Sequence, residues 1–230
     1  FIKVPEDLFE KRVRNMFLDI QKEFGGTPIE VANDGDVTAL AGAMSLETNN
    51  VLGLAMGTSE AGGYVDGKGN ITGWLNELAF VPVDLNPDDM IDEWSGDIGC
   101  GVKYFSQDGV IKLAEMVGIE IDDSLPPAEK LKIVQKLMKE GDSRAHMIYE
   151  DLGIYLGYSL AYYADFYDMT HVLIMGRVTS GKGGEIMIEK AKEVLSDEFT
   201  ELNKNLNLSL PDEKSRRVGQ SVAAASLPSI

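Results

Sequence analysis

The chain has 230 residues, 44% of them hydrophobic, enough for one large domain or two small ones around a buried core. Acidic residues outnumber basic ones 38 to 21, and the resulting net charge of −17 sets the chain against nucleic acid and anionic membrane surfaces. The single cysteine, Cys100, excludes an internal disulfide framework and makes a reducing, cytoplasmic setting the default, while no apolar run reaches the length of a membrane span and no signal peptide is visible.

Phe1, not Met, leads straight into the first element, which predicts further sequence upstream. Pro5 opens a helix in which Leu8, Val13, Phe17, Ile20 and Phe24 fall near one face, and Gly25 and Gly26 end it. The basic clusters 11–14 and 214–217 read as solvated helix faces. Residues 29–32 read as a short strand that stops at Asn33, Asp34, Gly35 and Asp36, with a helix from about 37 to 46. Residues 51–56 read as a buried strand broken by the glycine-rich stretch 57–63. With a turn at 66–70, residues 51–73 predict two antiparallel strands.

The stretch 74–101 carries few helical or strand signals, and long irregular segments inside compact domains are often functional. Helices are expected at 107–117, 127–139 and 143–167. A strand follows at 171–176, then a loop at 177–184, a helix at 185–195, a short strand at 206–210 and a small-residue helix at 219–226. Strands alternating with helices argue for an α/β layered fold.

Several stretches can carry chemistry. At the end of a strand, the Asp34 carboxylate can serve as a base and the Asn33 amide can orient a hydroxyl. The bland reading is a turn whose Asp36 caps the next helix. Gly57, Thr58, Ser59, Gly62 and Gly63 offer backbone N–H groups and hydroxyls to a phosphate, or form a plain glycine-rich hairpin. Residues 176–183 match G-x-x-x-x-G-K, nearly a P-loop, but Gly183 stands where a Ser or Thr should bind Mg²⁺. Glu77, Asp92, Glu93 and Asp97 form an acidic group suited to sugar hydroxyls, to a cation or simply to solvent. His146 and His171 are isolated, and Cys100 has no cysteine partners for zinc.

Taken in order over roughly residues 29–226, these segments resemble the ROK family of sugar kinases and sugar-responsive repressors, within the actin/hexokinase/Hsp70 ATPase superfamily. Asn33 and Asp34 look like the family's Asn-Asp pair, whose Asp is the catalytic base. Residues 56–63 look like its second phosphate motif, Gly-Thr-Gly-x-Gly-Gly-Gly, with Ser59 and Ala61 in place of two glycines. Residues 76–80 stand where the family has Gly-Glu-x-Gly-His, so Glu77 matches the sugar-binding Glu while Phe80 replaces the His. Gly99 and Cys100 stand where the zinc-binding cysteines end, and Val102 replaces a sugar-contacting Glu. Residues 171–184 look like the adenosine motif, which places Gly176, Arg177, Ser180 and Gly181 near the nucleotide.

The resemblance implies a ribonuclease-H-like, actin-like ATPase domain with a mixed sheet flanked by helices. It divides the chain into a region 28–105 carrying the catalytic Asp and the phosphate hairpin, and a helical, adenosine-motif region 106–230. The superfamily's Asp-x-Gly-x-Thr hairpin is then expected upstream, in an N-terminal domain that would be this chain's own partner. The implied activity is hexokinase- or glucokinase-like phosphorylation of a sugar hydroxyl, using ATP and Mg²⁺, with a homodimer compatible and no zinc required. Replacement of the His by Phe80 and of the Glu by Val102 leaves open a non-catalytic sugar or nucleotide sensor of the same fold.

Overall fold

The side chains of β1 (Val51–Met56) alternate between two apolar layers. Leu52, Leu54 and Met56 join the larger core, while Val51 faces a smaller one. In the computed structural model, which describes residues 3–211 and 221–227, β1 lies inside a four-stranded mixed sheet of order β2-β1-β3-β4. β2 (Glu60–Val65) runs antiparallel to β1, with Met56 opposite Glu60. β3 (His171–Met175) runs parallel to β1, and β4 (Asn207–Ser209) parallel to β3.

Helices cover both faces. α3 (Asp34–Leu46) packs on one side, where Ala39, Leu40 and Ala43 meet Val51, Val65, Leu173 and Ala223 of the helical stretch 221–226. On the other side lie α4 (Gln107–Met116), α5 (Pro127–Glu140), α6 (Ser143–Tyr163) and α7 (Lys182–Glu198), followed by the short α8 (Thr200–Asn203). This is the expected mixed sheet flanked by helices. Among the described residues no helix is long and apolar enough to cross a membrane.

The structure departs from the sequence expectations in several places. The first helix is two, α1 (Glu6–Arg12) and α2 (Met16–Glu23), and neither buries a residue. The helical spacing is real, but Phe17 and Phe24 face solvent, so no packing holds the turn at 13–15 in register. Residues 29–32 form no strand, because no described segment pairs with them. The next helix therefore starts at Asp34 instead of 37, and its cap is Asn33, whose side chain accepts a hydrogen bond from the Gly35 N–H, instead of Asp36.

The hairpin break is also shorter than expected. It occupies 57–59, closed by a bond from Gly57 N to the Ser59 carbonyl (2.9 Å), and residues 60–63 belong to β2. α7 begins three residues earlier than expected, and α6 ends at Tyr163 instead of 167. The basic cluster 214–217 and residues 219–220 lie outside the described residues.

Candidate functional site

Because β1 and β3 are parallel neighbours, the connections that follow them leave the sheet at the same end of the strands. After β1 comes the 57–59 turn, and after β3 the loop 176–181. Val178 N donates to the Met56 carbonyl (3.1 Å), and Gln107 N to the Gly57 carbonyl (2.9 Å), which fixes both loops to the end of β1. Gly176 has φ +113, and a Cβ there would strike the Met56 backbone, so only glycine lets the chain turn this close to β1.

α3 crosses the sheet, its first turn against Gly62 and Gly63 of β2, Ala39 against Gly53 of β1 and Gly42 against Leu173 of β3. A Cβ on Gly35 would overlap the Gly62 carbonyl, and one on Gly63 would overlap the Gly35 carbonyl. These glycines let the first turn of α3 touch β2. Gly62 and Gly63 are therefore buried strand residues whose open sides face protein backbone. The exposed part of the hairpin is Thr58 and Ser59, with Gly57 half-buried beside them. Replacing Gly63 by Ala pushes a methyl group into α3's first turn. We expect a loss of about 1–3 kcal/mol, read from a urea melt, with weaker binding of any ligand that depends on Asp34.

Asp34 and Asn33 are exposed at the N-terminus of α3, and each side chain accepts a bond from the Gly35 N–H (2.9 and 2.8 Å). Asp36 points inward. Its buried carboxylate accepts from Asn76 Nδ2 (2.9 Å), while the Asn76 carbonyl oxygen accepts from the Tyr167 hydroxyl (3.0 Å). Burial raises the Asp36 carboxyl, and the bonds from Asn76 and the Tyr64 N–H oppose this. Asn76 adopts φ +51, a left-handed conformation tolerated by Asn, and this network ties the 74–78 segment to α3. Glu77, which is exposed, directly follows the Asn76 that binds Asp36. The sequence singled out Glu77 and Asp34 but gave Asp36 only a capping role and Asn76 and Tyr167 none.

Gly181, the cap before α7, has φ +75 with open space around its Cα, and Arg177 is exposed. Ser180 is half-buried and donates to the Gly176 carbonyl (3.3 Å). The P-loop reading loses support at Gly183, where a Cβ would enter the Tyr149 ring and a metal-binding hydroxyl has no room.

The irregular segment has its own packing. Lys103 is buried and pairs with Glu93 (2.7 Å), Asp108 (3.3 Å) and Asp92 (3.8 Å). Asp92 also accepts from the N–H of Ser95, which with Lys103 holds its carboxyl low. Asp92 and Glu93 are thus committed to a lysine instead of being free for a sugar or cation. Nearby, Lys112 and the Tyr104 hydroxyl bond Asp89, and Tyr104 also donates to Asp84 (2.9 Å). Phe80 stacks on Trp94 (5.2 Å between centroids), and Val102 packs with Ala79 and Cys100. Among the described residues no group of three His, Cys, Asp or Glu could hold a metal ion.

One residue with no assigned role stands out. Glu60, opposite Met56 at the start of β2, is fully buried with neither carboxyl oxygen hydrogen-bonded, and burial pushes its carboxyl up to about 8. Its side chain lies against Gly101.

No protein-family model matches the sequence, and no curated protein matches it. Solved structures do. A ROK hexokinase from Thermus thermophilus superposes with a TM-score of 0.69 at 20% identity over 90% of this chain and 67% of that one. A ROK family glucokinase from Streptomyces griseus, in complex with glucose and AMPPNP, gives 0.68 at 18% identity over 90% of this chain and 70% of its own. A ROK family transcriptional regulator, a homolog of the E. coli MLC protein, gives 0.72 at 19% over 92% of this chain and 55% of its own. At such identities the likeness shows the fold. The chain has the actin-like ATPase fold of the ROK sugar kinases and regulators, and it spans between about half and three quarters of their length.

Proposed function

We propose that the chain is the nucleotide-binding part of a ROK-family sugar kinase that transfers a phosphoryl group from ATP to a sugar hydroxyl. The observation that carries this reading is the seating of the 176–181 loop on the end of β1 beside the 57–59 turn, together with the close contact of Gly35, the neighbour of Asp34, with Gly62 and Gly63 of the strand that follows that turn.

Asp34 accepts the proton of the sugar hydroxyl as that oxygen attacks, and Asn33 and Glu77 orient the sugar. Gly57, Thr58 and Ser59 hold phosphate oxygens through backbone N–H groups and hydroxyls. Gly62 and Gly63 contribute by seating α3 against β2. Gly176, Arg177, Ser180 and Gly181 border the adenosine side. The exposed hydroxyls of Thr58 and Ser59 and the open space at Gly181 fit such a ligand. Bound there, ATP supplies the phosphoryl group and its Mg²⁺ neutralises phosphate charge. Phosphoryl transfer depends mainly on positioning and electrostatics, and the rigid Gly35–Gly62–Gly63 contact supplies the first.

The apolar cluster of Phe80, Cys100, Val102 and Ala79 favours a second reading, a sensor that binds sugar or nucleotide without turnover. ADP release measured across a sugar panel, together with calorimetry of the same ligands, separates the two. Sugar-dependent ADP release is expected. Binding without turnover would replace the kinase with the sensor. Lys182→Ala should change nucleotide affinity little, because the kinase reading gives Lys182 no ligand contact; abolished binding would restore the P-loop.

A further inference from the structure

Trp74, Glu77, Tyr162, Phe166 and Tyr167 border a cleft of ≈ 450 Å³, within the size range of small-molecule sites. The walls are tilted rings. Trp74 and Tyr167 have centroids 5.8 Å apart at 50°, and Tyr162 and Phe166 lie 5.3 Å apart at 71°. Trp74, Tyr162 and Phe166 are about half exposed, so the cleft is open to solvent.

Its charge is one-sided. Glu77 is the charged residue of the lining, no lysine or arginine contributes, and Glu77 forms no ion pair among the described residues. The Asn76 amide also borders the cleft, but its nitrogen is committed to Asp36 and the Trp74 carbonyl, and its oxygen to Tyr167. The cleft thus offers a free carboxylate and several ring faces. Ring faces carry the negative side of the aromatic quadrupole, and an ammonium within about 6 Å of a centroid is attracted to them. A carboxylate-bearing ligand meets repulsion from Glu77 and from the ring faces.

We propose that this cleft takes the ammonium group of a protonated amino sugar, with Glu77 as its counter-ion. The inference rests on the reading of Glu77 as a sugar-binding residue and narrows the substrate class to amino hexoses over neutral and acidic ones.

Calorimetry on the protein with glucosamine, glucose and glucuronate tests it without requiring turnover. Below the pKa of the amine, glucosamine is expected to bind about tenfold more tightly than glucose, and glucuronate more weakly than either. The glucosamine advantage should fade as pH rises through that pKa. Glu77→Gln should bring the glucosamine-to-glucose ratio close to one, and Phe166→Leu should lower it. Equal affinities in the unmodified protein, a preference that survives Glu77→Gln, or no heat with any of the three sugars overturns the proposal. The kinase reading fails separately. A glucosamine preference without phosphorylation removes the kinase and keeps the cleft, whereas phosphorylation of glucose without any preference removes the cleft and keeps the kinase.

Discussion

Asp34→Asn should lower kcat for sugar phosphorylation by about 10²–10⁴-fold, the usual worth of a positioned general base. The substitution is close to isosteric. The new amide's carbonyl oxygen can still accept the Gly35 N–H that Asp34 accepts now, and Asn33 continues to cap α3. The first turn of α3 and its contact with Gly62 and Gly63 should therefore persist. What disappears is a group that can take a proton while the sugar oxygen attacks. Such an interaction exists in the transition state and not in the bound ground state, so kcat and kcat/KM should fall together while sugar affinity by calorimetry changes little. A fall in affinity with kcat preserved would make Asp34 a substrate-holding residue instead.

Glu60→Gln should stabilise the protein, increasingly so as pH rises. The native state holds a proton on Glu60 up to about 8, while the unfolded chain releases it near the ordinary value of 4.5. Between those values the native state binds more protons than the unfolded one, so Glu60 lowers stability as pH rises, and the full cost is present above about 8. Each pH unit in that window is worth about 1.4 kcal/mol, giving roughly 3 kcal/mol between pH 4.5 and pH 7. The amide of Gln stays neutral and resembles the protonated acid in shape and polarity. Urea melts at several pH values should show the two proteins nearly equal at pH 4.5 and the variant several kcal/mol more stable at pH 8. Parallel curves at all pH values would mean that Glu60 finds a partner that stabilises its charge.

The sheet and the larger helices were legible because their signals are local. The short continuous apolar runs of β1 and β3 and the helical spacing in α4, α5 and α6 are properties of neighbouring residues. The failures are long-range. Residues 29–32 have strand composition, yet a strand requires a partner that the described chain does not supply. Gly62 and Gly63 read as loop because glycine usually marks turns. Here their missing side chains admit Gly35 from α3, a contact that no local window reveals. The Asp36–Asn76–Tyr167 network joins residues separated by 40 and 91 positions. Its one local trace was an Asn beside the candidate Glu77. The acidic stretch 92–97 looked available for ligand because the sequence does not show that Lys103 is folded against it. Glu60 had a visible signal, a carboxylate inside a glycine-rich hairpin between buried strands, and its burial gives that signal its meaning. The candidate base and the phosphate turn were legible as motifs, but the seating of the 176–181 loop beside that turn and of α3 on Gly62 and Gly63 follows from the parallel pairing of β1 with β3 and from contacts between distant glycines.

The most direct test is transfer of label from γ-labelled ATP to a sugar panel that includes glucose and glucosamine, run side by side with the unmodified protein and with Asp34→Asn. A labelled sugar phosphate is expected from the unmodified protein and at least about a hundredfold less from the variant. Label transferred equally by both, or by neither while ATP and sugar bind, would contradict it.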